Sequence, residues 1–234
     1  MKAIKETAME YLLKEPLLHM DMMENIRRGG AEILHASEKG VLLLKSGAYF
    51  ISARDREAAR HLLSFAGNAD LFNAHQSHCA RAVAEKYRYP RKIVCHQAAY
   101  LEKEPLKAEY PAEIRPLDES FLPFIMENYT HADDEKYIRN RLQTGNLFGA
   151  FEEGNLAGFI GVHDEGSIGF LEVLPPYRRR GLAVTLAVYL TNSFLERGQI
   201  PFSQIETFNT ASLRLHQKLR YTVSEQKIWW LMNN

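Results

Sequence analysis

The chain is 234 residues long, 46% apolar and 25% charged, which suits one large or two small globular domains and excludes a disordered or collagen-like chain. Lys plus Arg and Asp plus Glu both number 29, so the formal net charge is zero and no global basic field exists to gather nucleic acid or acidic lipid. The segment MKAIKETAMEYLLKEP is broken by Lys5, Glu6 and Glu10, and the longest nearly apolar run, residues 182–190, is about half of the ~20 residues a membrane span needs. A soluble, cytoplasmic chain with no membrane or nucleic-acid partner is therefore expected. Cys79 and Cys95 form no CxxC, and no His cluster has ligand spacing, so neither a disulfide framework nor a metal is expected.

In chain order, alternation and turn residues predict strands at 33–36, 41–45 and 49–53, a helix at 56–65, and a short strand near Leu71. A helix at 77–87 and a strand at 92–101 follow. The stretch LEKEPLKAEYP, residues 101–111, has two prolines, five charges and no apolar periodicity, which reads as a surface linker. The expected domains are 1–103 and 112–234, joined by 104–111. Beyond the linker, residues 113–117 read as a strand. Asp118 can cap a helix to about 129, and Asp133, Asp134 and Glu135 place acids on the first turn of another that stops at Gly145. Strands at 147–151 and 156–162 flank Gly154-Asn155 as a hairpin, and a turn at 164–166 leads to a strand at 168–174. A long helix is predicted from Arg178 to Glu196, apolar on most sides and so buried, with Gly198 as its stop. A strand at 202–206, a helix at 210–218 and a strand at 221–231 close the chain. The two halves share this order, and Glu85-Lys86-Tyr87-Arg88-Tyr89 rhymes with Gln217-Lys218-Leu219-Arg220-Tyr221. A pseudo-symmetric pair of α+β domains is expected.

Specific chemistry converges on residues 171–183, LEVLPPYRRRGLA. A strand runs into two prolines that end its ladder, and an Arg-rich turn opens a helix whose first amides have no intrahelical acceptor. Such amides, at the positive end of the helix dipole, favour a phosphate, and Gly181 and Ala183 keep side chains short where backbone must approach it. No Lys-Ser/Thr follows, which excludes Walker A, and GxGxxG is missing.

Arg178, Gly181 and Ala183 match the Arg/Gln-x-x-Gly-x-Gly/Ala loop of the GNAT acyltransferases, which this segment resembles. Leu-Pro-x-Tyr-Arg-x-x-Gly-Leu followed by Asn209-Thr210-Ala211-Ser212 looks most similar to the glycine N-acyltransferase-like branch. The resemblance spans about 113–231. It implies a GNAT fold, an α+β architecture whose mixed central sheet has splayed parallel strands and flanking helices, preceded here by an N-terminal degenerate GNAT-like repeat. It also implies acetyl-CoA as cosubstrate, with pantetheine along Leu171, Glu172 and Val173. The pyrophosphate would lie in the loop of Arg178, Arg179, Arg180, Gly181, Leu182, Ala183 and Val184, with Asn209 reaching the pantetheine arm.

The implied reaction is direct attack of an amine on the thioester, with a small-molecule amine acceptor and a monomer or homodimer as the working state. A base must free the amine lone pair, and an acid helps the thiolate leave. Glu172 is either a structural carboxylate or that base, Glu206 either a rim charge or an acceptor-side group. The family acid is often a Tyr; here His216 stands in its place, as acid or as a helix-surface histidine. The branch's base position aligns with Ser167, which leaves Glu165 as a third base. The turn Ser52-Ala53-Arg54-Asp55-Arg56 lacks glycine, so the first half is not expected to bind CoA. The alternative function is a CoA-binding sensor without turnover.

Overall fold

A computed structural model describes residues 2–108, 110–129 and 134–233. The first half opens with helices α1 (Lys2–Leu12) and α2 (Met20–Arg27), followed by strands β1 (Glu32–Ser37), β2 (Gly40–Lys45) and β3 (Ala48–Ala53). Helix α3 (Arg56–Leu63), strand β4 (Leu71–His75), helix α4 (Ser77–Tyr87) and strand β5 (Arg91–Ala99) complete it. The second half contains β6 (Glu113–Pro116), α5 (Leu122–Asn128), α6 (Glu135–Gln143), β7 (Leu147–Glu152), β8 (Asn155–Val162) and β9 (Ile168–Val173). It ends with α7 (Leu182–Glu196), β10 (Phe202–Glu206), α8 (Thr210–Lys218) and β11 (Thr222–Met232). The fold is mixed α+β, as expected. None of the helices among the described residues is long and apolar enough to cross a membrane.

Two compact units form, one from residues 2–99, 204–213 and 222–233, the other from 100–203 and 214–221. The division runs through the segment 112–234 expected to act as one domain. A seven-stranded sheet has the order β1-β2-β3-β4-β11-β5-β10, with β3 and β4 parallel and β11 antiparallel to both β4 and β5. On one face of this sheet Leu42, Ile51, Phe72 and Leu231 pack with Leu62 of α3 and Val83 of α4. Helix α2 is buried from Met20 through Ile26. Its Asp21 reaches His75 Nε2 at 2.8 Å, and Gln204 Nε2 donates to the other Asp21 oxygen at 3.0 Å.

The other unit holds a four-stranded antiparallel sheet in the order β6-β7-β8-β9. Phe151, Phe159 and Phe170 meet Leu122 and Ile125 of α5 and Ile138 and Leu142 of α6 on one face. Side chains alternate across a strand, so Gly158, next to Phe159, faces Leu186 of α7 on the other side. The buried row Leu182, Leu186, Leu190 and Phe194 follows an i, i+4 spacing, and each member contributes roughly 1.5–3 kcal/mol by leaving water.

Several local expectations are corrected. The turn joining β7 and β8 is Glu153-Gly154, both with positive φ as a type I′ turn requires, so Asn155 begins β8. Helix α7 starts at Leu182 and not at Arg178, because Arg179 (φ +62) and Gly181 (φ +95) are left-handed and break the helical run. Helices α1 and α2 were not expected. The proposed acid at Asp133 lies outside the described residues; Asp134 caps α6 through Tyr137 N at 3.0 Å. Within the expected linker, Leu106 exchanges two hydrogen bonds with the Asn192 side chain of α7, and Thr185 Oγ1 donates to the Tyr110 carbonyl.

Candidate active site

Among the described residues strand β9 pairs with β8 alone, so its other edge presents unpaired backbone groups to an extended ligand. Its register slips between Phe159 and Gly161 of β8, leaving Phe170 and Leu171 opposite Ile160 as a bulge. Phe170 is 2% exposed with φ +53. A left-handed aromatic costs on the order of 1–3 kcal/mol and persists only where packing holds it. Here Tyr129, Tyr137 and His163 hold it, with ring centroids 5.3, 5.8 and 4.2 Å away.

Beyond β9 a short 3-10 turn, Pro175–Tyr177, leads to the Arg triplet. Arg178 folds back, its Nε donating to Val173 O at 2.8 Å and its guanidinium to Glu172 Oε1 at 3.2 Å. Arg180 donates to Tyr110 Oη at 2.7 Å and pairs with Glu152 at 2.8 Å. The Tyr110 hydroxyl donates in turn to Glu152, a bond that raises its phenol above the ordinary value. Arg179 is exposed and left-handed. Gly181 caps α7 with φ +95, and a Cβ there would stand 3.2 Å from Tyr110 Cβ. The first backbone bond of the helix is Thr185 N to Gly181 O, so the amides from Arg179 to Val184 have no backbone acceptor among the described residues. The left-handed turns at 179 and 181 make this stretch a concave array of donors. Both nearby carboxylates, Glu152 and Glu172, are paired with arginines and do not oppose an anion.

The turn that leads from β3 into α3 is different. Asp55 caps α3 with its own carboxylate, accepting from Ala58 N at 2.8 Å, and β3 is hydrogen-bonded to β4 where β9 has an open edge.

Of the residues singled out in the sequence, Leu171 to Val184 and His216 stand in one unit, Glu206 and Asn209 in the other. Glu172 is tied to Arg178. His216 is 7% exposed, with Nε2 2.9 Å from Ser203 Oγ and its ring edge-on to Tyr221. Asn209 caps α8, its Oδ1 accepting from Ser212 N at 3.0 Å, which leaves the amide NH₂ to donate. Glu206 ends β10, and its carbonyl accepts from Asn209 N. Ser167 is buried and donates to the Glu165 carboxylate. Among the described residues no group of three His, Cys, Asp or Glu could hold a metal.

Sequence reasoning missed Tyr110, Glu152, Tyr137 and His163. Their partners lie far away along the chain, Tyr110 pairing with Arg180 and Tyr137 with His163, so no local pattern signals them.

Residues 147–230 match the family described as FR47-like protein. The whole fold is similar to that of a Drosophila protein, with a TM-score of 0.65 at 16% identity, covering 100% of this chain and 97% of that one. It is also similar to a GCN5-related N-acetyltransferase-like protein from Streptococcus suis (TM-score 0.56, 16% identity, 97% and 99% covered). A third likeness is to a GCN5-related N-acetyltransferase from Kribbella flavida (TM-score 0.58, 11% identity, 92% and 95% covered). No curated protein matches the sequence. The fold is that of the GNAT acetyltransferases; the narrower resemblance to the glycine N-acyltransferase-like branch finds no support in these matches.

Proposed function

We propose that this protein is an acetyl-CoA-dependent N-acetyltransferase that passes the acyl group to a primary amine of a small molecule or amino acid by direct attack in a ternary complex. The observation that carries this reading is the run of amides from Arg179 to Val184 at the start of α7, without a backbone acceptor among the described residues, together with the edge of β9 that no described strand pairs. Backbone N–H groups at a helix N-terminus suit a pyrophosphate, and an unpaired strand edge suits the amide groups of pantetheine. Acetyl-CoA supplies an acyl group activated as a thioester; the chain binds and orients it through Leu171 to Val173 and Arg178 to Val184. Arg178 and Glu172 brace the loop from within, while Arg180 ties it to Tyr110 and Glu152.

The first half is read as a degenerate repeat without a CoA site, since Asp55 already satisfies the start of α3 and repels a phosphate. Thermal shift with acetyl-CoA and CoA, followed by thiol release with a panel of amines, tests the activity. A hundredfold excess of ligand over Kd stabilises the fold by about 2.7 kcal/mol. No shift with either compound would overturn the proposal. A second reading, a CoA sensor without turnover, is favoured by one observation: Glu172 and His216 are both engaged inside the protein. Binding to both compounds, with no thiol release to any amine, would select it.

A further inference from the structure

The bulge in β9 carries a titratable ring. His163, half-buried at the end of β8, stacks on Phe170 with 4.2 Å between centroids and 26° between planes. A Cβ at Gly169 would meet its Nε2 at 2.3 Å, so only glycine lets the ring lie there. Its Nδ1 is 2.9 Å from the Tyr137 hydroxyl. A stack, a hydrogen bond and a clearance thus fix one imidazole against the residue where the β9 ladder breaks. The turn from β8 to β9 does not need them, because it is closed by backbone bonds from His163 N to Ser167 O and from Gly166 N to His163 O.

The partner chosen for the ring suits a proton carrier. A hydroxyl can donate to an imidazole nitrogen or accept from it, so one contact serves both the neutral and the protonated ring. Burial holds the Tyr137 phenol far above its ordinary value, with Glu165 adding to the rise, which keeps it a neutral hydroxyl. Among the described residues the other charges facing this pair are Asp164 and Glu165 from the turn and Arg141 from α6. Arg141 is paired with Asp164, and its guanidinium lies 5.7 Å from the Tyr137 ring centroid.

From Val173 back to Phe170 is roughly 10 Å of strand, so an extended arm held by the 179–184 loop and laid along β9 brings its thioester toward the bulge. Resting on the acyltransferase reading above, we propose that His163 carries the proton of the transfer, with Tyr137 and Gly169 as positioning residues. As the amine nitrogen bonds to the thioester carbon it gives a proton to the imidazole. As the C–S bond breaks, the imidazolium returns that proton to the departing sulfur, leaving an amide, a CoA thiol and a neutral ring.

The test uses the full chain with acetyl-CoA and CoA as probes. Absence of any thermal shift would overturn the acyltransferase reading and this inference with it. Once binding is established, the His163 ring resonances, identified by their loss in His163→Gln, should move differently with acetyl-CoA and CoA, which differ only at sulfur. Resonances indifferent to both ligands would overturn the assignment and leave the acyl-CoA site standing. With an amine that turns over, His163→Gln should lower kcat by about a hundredfold or more while acetyl-CoA affinity holds. Gly169→Ala, which moves the ring without removing it, should lower kcat as well, and Tyr137→Phe should displace the pH limb that His163→Gln abolishes. Wild-type kcat in His163→Gln, or in Gly169→Ala should the first variant not fold, would sink the proposal.

Discussion

His19 shows what burial does to a single titratable ring. It is 1% exposed, with Nδ1 3.0 Å from Leu12 O and Nε2 2.8 Å from Ser52 Oγ. Desolvation first, and the neighbouring His75 second, push its pKa down to about 4. The unfolded chain binds this proton near pH 6.5, the folded chain only near 4. Stability from this residue is therefore complete above about pH 6.5 and is lost as the pH falls toward 4, by on the order of 3 kcal/mol. Urea unfolding of wild type and His19→Gln across pH 4–7.5 checks it: the variant should show the shallower pH dependence. His216 makes a different prediction, because its ring is packed against Tyr221 and bonded to Ser203. His216→Ala opens a gap and leaves a buried hydroxyl unpaired, so a stability loss of about 2–4 kcal/mol is expected by denaturant titration.

At the scale of elements, the strap from Leu106 to Tyr110 depends on one amide. Asn192 both donates to and accepts from the Leu106 backbone, so Asn192→Ala leaves two backbone groups without their partner. We expect a loss of about 1–3 kcal/mol and faster protease cleavage within 101–108, read by limited proteolysis. Nothing in LEKEPLKAEYP announces this contact, since its partner lies 86 residues further along the chain. Elements governed by local periodicity were legible: the alternation of β7 and β8, the apolar length of α7 and the stop at Gly198 all follow from neighbours in sequence. Helix α2 was not, because its polar stripe of Asp21, Glu24 and Asn25 is buried, with Asp21 satisfied by His75, 54 residues away. The Arg triplet was legible as an anion loop, whereas its division of labour was not. Which arginine turns inward depends on Tyr110, Glu152 and Glu172, and the left-handed turns at 179 and 181 depend on how the chain enters α7.

For the molecule as a whole, the position of β11 matters most. It lies between β4 and β5, with Trp230 donating to Gln204 Oε1 at 2.6 Å and Leu231 in the core shared with α3 and α4. A chain ending before Thr222 loses a strand from the middle of the seven-stranded sheet, and buried Phe72 and Cys95 lose their cover. We expect such a truncation to show no cooperative unfolding transition by circular dichroism, whereas full-length protein shows one. The same placement bears on biogenesis. At typical elongation rates β11 emerges from the ribosome on the order of ten seconds after β5. During that interval the nascent chain exposes two unpaired strand edges flanked by apolar residues, the kind of surface that trigger-type chaperones shield. Synonymous codons that slow translation between β5 and β11 should therefore lower the soluble yield without altering a single residue.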